Sequence, residues 1–360
     1  MALEFLKTIT IHKTTSVYPL NWRKRLYAIV GLAVALVVVI ALASAIGSSQ
    51  ISLSDLGNIL LSRLPLIDIN HTWDAVVETI VMDIRLPRIL LAGLVGAALA
   101  VAGVTYQGLF RNPLADPYLI GVAQGAVLGA TVGFLLPWQV ANFGLVPVLA
   151  FCGALLAVAV VYAIARTGKT LPMTTLILAG VALGAFLASV TSYLIIASGD
   201  KFHGIISWLL GRFSLSSWGQ VAVVAPYVLV GTVVIWLYAR PLNVMQLDEE
   251  QAQQLGIEVE KVKLVLLVAA TLITAAAVSF CGTIGFVGII VPHAIRLIWG
   301  PDHRFLLPLS TLAGAIFLIL ADTAARTVLA PTEIPVGVIT AFLGAPFFLY
   351  LLRQKKRAIF

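Results

Sequence analysis

Ten stretches of the chain are apolar for long enough to cross a bilayer. They lie near residues 27–46, 87–109, 118–137, 143–165, 171–197, 220–238, 263–281, 282–299, 305–325 and 335–352, with the polar residues gathered between them. A hydrocarbon core of roughly 30 Å takes about 20 apolar residues of helix. Backbone groups in lipid must bond within their own segment, which selects helices. Strands of a membrane barrel would alternate apolar and polar, and these runs do not. The pattern therefore predicts an all-α integral membrane protein of about ten transmembrane helices, forming a single domain over residues 1–360. The eighth run is interrupted by Gly282, Gly285, Gly288 and Pro292, and is expected to be broken or to re-enter. The first run starts near Tyr27, has no clear cleavage site after it and is too long for a signal core, so it reads as the first span.

Composition agrees with lipid as the main solvent: 60% of the 360 residues are hydrophobic, 11% are charged and the mean hydropathy is +1.03. The net charge of +7 adds orientation. With residues 1–26 in the cytoplasm, every one of the 23 basic residues falls on that side except Arg63, Arg85, Arg88, Lys201, Arg212 and Arg326. Positive charge concentrates on the cytoplasmic side of membrane proteins, and an even number of spans returns the C-terminus there, so both termini are expected to be cytoplasmic. The basicity is then a topology signal, and no nucleic acid partner is needed to explain it.

Several chemistries are missing. No GxxxxGK[ST] loop is present; Gly168-Lys169-Thr170 is a near miss that follows a hydrophobic run, with Ala163 where the first glycine would stand. Carriers driven by ions usually hold acids at mid-membrane. Here the one acid read as lying well inside a span is Asp322, near its outer end. His203, His293 and His303 are isolated, and Cys152 and Cys281, both inside apolar runs, read as small core residues rather than a disulfide or metal pair. Glycines at four-residue spacing, Gly125, Gly129 and Gly133 in the third span and Gly180 and Gly184 in the fifth, suit close helix packing. A glycine-lined passage is the alternative for the fifth.

Two polar regions stand out. In the 240–262 loop, Asp248 followed by Gln251 suggests a capping box, Glu249 and Glu250 suit a helix N-terminus, and Gly256 suits its end. A short cytoplasmic helix is predicted there, either a plain connector or a lever that docks into a soluble partner. On the outer side, Arg85 and Arg88 sit where positive charge is disfavoured, and Arg326 follows Asp322 by four residues, the spacing of a helical ion pair. Snorkelling anchors and a grip on acidic residues of an external protein are the two readings of these arginines.

These residues also carry a resemblance. RLPR at Arg85–Arg88, GAALAVAG at Gly96–Gly103, RNPLADP at Arg111–Pro117, LAGVALG at Leu178–Gly184 and QLG at Gln254–Gly256 occur in order. GTIGFVGIIVPHAIR at Gly282–Arg296, DHRFLLPLS at Asp302–Ser310, ADTAAR at Ala321–Arg326 and IPVGVITAFLGAPFF at Ile334–Phe348 follow. Over nearly its whole length the chain resembles the FecCD-type permease subunits of type II ABC importers for ferric siderophores, haem and vitamin B12.

The resemblance implies a second permease copy, identical or a paralogue, two cytoplasmic ABC ATPase subunits that use ATP and Mg, and an external substrate-binding protein. No cofactor is expected on this chain. By position, Arg85, Arg88 and Arg326 look like the arginines that meet the binding protein. Leu247, Asp248, Glu249, Glu250, Gln251, Ala252, Gln253, Gln254, Leu255 and Gly256 look like the segment seated in the ATPase. Asn112 and Leu114, with Met173 and Thr174, look like the cytoplasmic gate, and Val181, Leu183, Val338 and Thr340 like passage lining. The cargo expected first is a ferric siderophore, with haem and vitamin B12 behind it. The segment between the first span and Arg85, with Pro65, His71, Trp73 and Glu78, is longer than the resemblance leads one to expect; its Asn70-His71-Thr72 matches a glycosylation sequon. An ion-coupled carrier and a docking protein that moves nothing are the rival readings.

Overall fold

The computed structural model describes residues 22–47, 51–63, 73–136 and 144–357, so Pro65, His71 and the sequon lie outside the described residues. In chain order the helices are α1 (Trp22–Ala45), α2 (Leu53–Ser62), α3 (Ala75–Thr79), α4 (Leu86–Leu109), α5 (Val122–Leu135), α6 (Leu145–Ala165), α7 (Met173–Ile196) and α8 (Phe202–Leu209). They continue as α9 (Trp218–Leu237), α10 (Ala239–Met245), α11 (Glu249–Gln254), α12 (Val259–Cys281), α13 (Val287–Trp299), α14 (His303–Thr327) and α15 (Val336–Arg357). Among the described residues seven helical stretches are long and apolar enough to cross a membrane, and three shorter apolar helices, Val122–Leu135, Val287–Trp299 and Val336–Leu349, match the rest of the expected ten. The protein is a multi-pass, all-helical membrane protein.

Contacts between helix ends sort the bundle into two faces. Arg25, near the start of α1, pairs with Asp302 just before α14, and Asn243 of α10 also bonds Asp302. At the opposite ends of the same helices, Arg326 of α14 donates to Ala43 of α1. Ile334, leading into α15, bonds back to Ala325, so α15 returns toward the face where α1 began.

The centre of the bundle is α4, buried along nearly its whole length. Because lipid tails are as apolar as leucine, close backbone approach between small residues drives such packing. A Cβ on Gly103 would collide with the carbonyl of Gly288 on α13, and one on Gly96 with Gly314 of α14. The predicted glycine stripe of the third span serves packing: Gly125, Gly129 and Gly133 press on Gly153, Leu149 and Val146 of α6. That contact turns Gly153 and Ala157 toward α5 and leaves the neighbouring Cys152 exposed, unlike the buried Cys281. Reading both cysteines as core was thus right for Cys281 only. The Gly168-Lys169-Thr170 stretch is a tight turn closed by Thr167 and Thr170.

The short helices have a cause. After α4 the chain turns back as an irregular segment with one 3-10 turn, Pro117–Ile120, before α5 begins. After α12 the glycine-rich residues 282–286 stay non-helical before α13 begins. Gly288 abuts both Pro117 and the Leu99 carbonyl at the middle of α4, so the two breaks meet inside the bundle. Irregular backbone at such depth is tolerated where protein or a cavity covers it. Tyr118 supplies part of that cover: its hydroxyl donates to the Ile284 carbonyl at 3.0 Å and accepts from the Ile284 N–H at 3.2 Å. The eighth span is therefore broken at Gly282 and Gly285, whereas Gly288 and Pro292, also expected to interrupt it, lie inside the continuous α13.

On the outer face the long segment before Arg85 is folded in its described part. A π-helical turn, Ile80–Arg85, joins α3 to α4. Ile51, Leu56, Ile59, Trp73, Val81 and Leu86 form a small core of their own. Glu78 ties it down, accepting from Arg63 at 2.5 Å and from the Trp73 indole at 3.1 Å.

Candidate translocation site

The outer arginines lie at the meeting point of α1, α4 and α14. The last carbonyls of a helix have no partner inside the helix, and cations near that end satisfy them. At the end of α1 this falls to two of the three: Arg85 donates to the Ser44 carbonyl at 2.6 Å and to Ala45 at 3.0 Å, and Arg326 to Ala43 at 2.6 Å. Arg88 grips both oxygens of Asp322 at 2.9–3.1 Å and reaches Glu333 at 2.8 Å. All three are nearly covered, with exposures of 4% for Arg85, 8% for Arg88 and 9% for Arg326. The helical pair read from the sequence, Asp322 with Arg326, is the looser contact at 3.8 Å. Its tighter partner, Arg88, is too distant in sequence to be seen from spacing. Glu333, with its side chain 42% exposed, is the part of the cluster that opens to the outside.

Further in, a cavity of about 500 Å³ lies between α7 and the two broken segments. Asp116, Tyr118, Gln124, Gly180, Gly184 and Phe286 are among its walls. Gly180 lets α7 touch the backbone of Leu119 and Ile120, whereas nothing presses closely on Gly184, so α7 uses one glycine for packing and one for open wall. Helix α7 itself is buried only at Leu176, Gly180, Gly184, Thr191 and Ile195. Of the lining residues expected from the sequence, Val181 faces the cavity and Val338 is exposed. Leu183 packs in part on the core, and Thr340 is fully buried and so not available to a passage in this structure.

On the cytoplasmic face the short predicted helix is present as α11. Asp248 caps it by accepting from the Glu249 N–H at 2.8 Å. Gly256 ends it at φ 81°, the left-handed conformation that glycine adopts without strain. Ala252 is buried and holds the helix down, while Leu247 and Leu255, at its two ends, are 68% and 67% exposed. Glu250, Gln251, Gln253 and Gln254 fill the rest of its turns.

The residues assigned to the gate sit in two turns. Asn112 accepts the Leu114 N–H at 3.0 Å, and Leu114 is 39% exposed. Met173 and Thr174 open α7, after a turn whose Leu171 N–H is held by Glu260 at 2.8 Å. The two turns are joined by groups that the sequence reading did not single out as functional. Lys263 is 2% exposed and binds Glu249 at 2.6 Å, Glu260 at 2.9 Å and the Leu171 carbonyl at 3.2 Å. On the other flank Arg111 faces Asp248 at 3.4 Å and Glu249 at 3.9 Å. A lysine in the first turn of an apolar helix, three residues after a glutamate, was the available signal for Lys263 and Glu260. Asp116 had no comparable signal, because it lies in a turn whose depth only the fold reveals. Among the described residues no group of three or more metal-binding side chains assembles.

Among the described residues, ten apolar helices enclose a cavity that opens to one side, with a short capped helix at one end of the bundle. The chain belongs to the FecCD transport family, whose sequence profile matches residues 34–354. It is 51% identical over 279 residues to the cobalamin import system permease protein BtuC of Halobacterium salinarum, covering 78% of this chain and 74% of that one. It is 39% identical over 349 residues to the hemin transport system permease protein HmuU of Yersinia pestis, covering 94% and 99%. A solved metal-chelate type ABC transporter in an inward-facing conformation superposes with a TM-score of 0.78 at 31% identity, over 91% of this chain and 98% of that one. The protein is accordingly a permease subunit of an ABC importer, with ATP hydrolysis performed by separate subunits and substrate delivered by a binding partner.

Proposed function

We propose that the chain is half of a passage through the plasma membrane, completed by a second permease copy, and that it imports a metal chelate of the corrinoid type. The observation that carries the first half is α7: its cavity side is open, and one chain supplies only one wall. The 51% identity with a cobalamin permease, against 39% with a hemin permease, supports cobalamin as the first cargo to test. Two ATPases bind below, one on each α11, where exposed Leu247 and Leu255 flank a short rigid helix suited to a cleft. A loaded binding protein docks above. Its acidic residues engage Arg88 and its neighbours Arg85 and Arg326 by displacing Glu333, since in the free permease these arginines are already partnered within the chain. ATP binding moves α11, and the turns carrying Asn112, Leu114, Met173 and Thr174 open and close toward the cytoplasm.

The test is ATPase activity of the permease reconstituted in lipid with its ATPase. The candidate binding protein is added loaded with cobalamin, haem or a ferric siderophore in turn. Stimulation by loaded cobalamin protein, together with uptake of cobalamin into the vesicles, is the expected result. Stimulation by another chelate alone reassigns the cargo. A permease that binds no ATPase removes the transporter reading and restores the docking-protein and ion-coupled alternatives.

A further inference from the structure

We infer that Lys263, backed by Glu260, is the positioning residue that ties the ATPase-contacting helix to the turn in front of α7. This rests on the proposed roles of α11 and of the Met173–Thr174 turn. The ammonium has three donors and the structure uses all of them, on Glu249 of α11, on Glu260 of its own helix and on the Leu171 carbonyl. Glu260 takes the Leu171 N–H as well, so both backbone polar groups of Leu171 are held by the pair. Leu171 stands two residues before Met173. A displacement of α11 through Glu249 is therefore delivered to the start of α7 through a single buried side chain.

The opposite flank makes the assignment sharper. Arg111 also faces α11 and adjoins Asn112, but its contacts are 3.4 and 3.9 Å long and its side chain is 34% exposed. Water screens such a pair and can replace it. The Lys263 ammonium, with its side chain 3% exposed, has no solvent to fall back on, so Glu249 and Leu171 move with it or two of its three donors are left unpaired, with only Glu260 of its own helix remaining. The α7 turn is the one rigidly driven, and the Asn112 turn follows through a looser contact.

A plain structural ion pair would lower the yield of folded protein and all activities together. Transmission predicts a different pattern. In the complete importer in lipid vesicles, with Cys152→Ala to remove the exposed thiol, a Thr174→Cys reporter is labelled by a membrane-impermeant maleimide with and without ATP plus vanadate. The parent shows a nucleotide-dependent change in labelling rate. Lys263→Met keeps ATPase assembly and hydrolysis, while the nucleotide-dependent change falls roughly tenfold, the size of an ordinary coupling free energy between two sites. Glu260→Gln, which leaves the ammonium paired with Glu249, folds more readily and loses the change in part. If both variants that assemble respond to nucleotide as the parent does, the inference is wrong while the importer reading stands. If the parent binds no ATPase, both fall.

Discussion

The two charged clusters at opposite ends of the bundle use the same residue types for different ends. On the outer face Arg85, Arg88 and Arg326 converge on the end of α1 and on Asp322, groups that belong to long helices and are buried. On the cytoplasmic face Lys263 and Arg111 reach Asp248, Glu249 and Glu260, acids carried by a six-residue helix and a first turn, each with a third or more of its side chain exposed. The outer cluster fastens helices to each other. The inner one fastens a short, part-exposed helix to the start of α12 and to the turns at Leu171 and Arg111. A charge pair between two rigid elements is a rivet, and the same pair with one partner on a short exposed helix is a linkage.

Removing the key acid from each cluster should separate these roles. Asp322→Ala leaves Arg88 and Arg326 buried without their shared carboxylate, and should cost roughly 3–5 kcal/mol. Thermal unfolding in lipid nanodiscs reads this as the largest loss of the series. A stability equal to the parent would show that the cluster is no rivet. Glu249→Ala should cost about 1–2 kcal/mol, because Glu260 and the Leu171 carbonyl still hold the ammonium.

Asp302 stands near the cytoplasmic cluster but behaves like the outer one. Burial pushes its carboxyl up, but hydrogen bonds from the Arg304 guanidinium, Asn243 and the Arg304 N–H outweigh this and hold it down at about 2, against an ordinary 3.8. A carboxylate with a lowered value stabilises the fold above its unfolded value and loses that contribution as pH falls through the folded one. Unfolding of the parent should thus steepen between about pH 4 and pH 2. Asp302→Ala, which also removes the cap of α14, should lose about 1 kcal/mol at neutral pH and flatten that acid limb. The smallest change in stability belongs to Glu333→Gln, below about 1 kcal/mol because the pair is part-exposed. Its informative readout is affinity for the binding protein, which should rise, since Arg88 is relieved of the partner that an incoming acid must replace.

Much of this was legible in the residues. Hydropathy located the ten apolar helices found among the described residues, because a helix in lipid has to be apolar for a fixed length. Local chemistry located α11, since Asp248 and Gly256 mark its ends regardless of context, although Asp248 caps the Glu249 N–H and not the more distant one of a capping box. What stayed hidden depended on pairs far apart in sequence. Arg88 with Asp322, Lys263 with Leu171 and Tyr118 with Ile284 have no signature in spacing. The sequence likewise places RNPLADP in a connecting loop, and only the meeting of Pro117 with Gly288 beside α4 puts that turn inside the bundle.

That meeting has a consequence for selectivity. Where α5 and α13 begin late, glycines and side chains share the cavity wall: Gly121, Gly180, Gly184 and Gly285 stand beside Asp116, Tyr118, Gln124 and Phe286. The glycines leave smooth stretches, like the barrel of a syringe, and the side chains between them are where a passing solute is felt. Discrimination along the conduit would then be concentrated at those positions, and the glycines between them would set only how much bulk can pass.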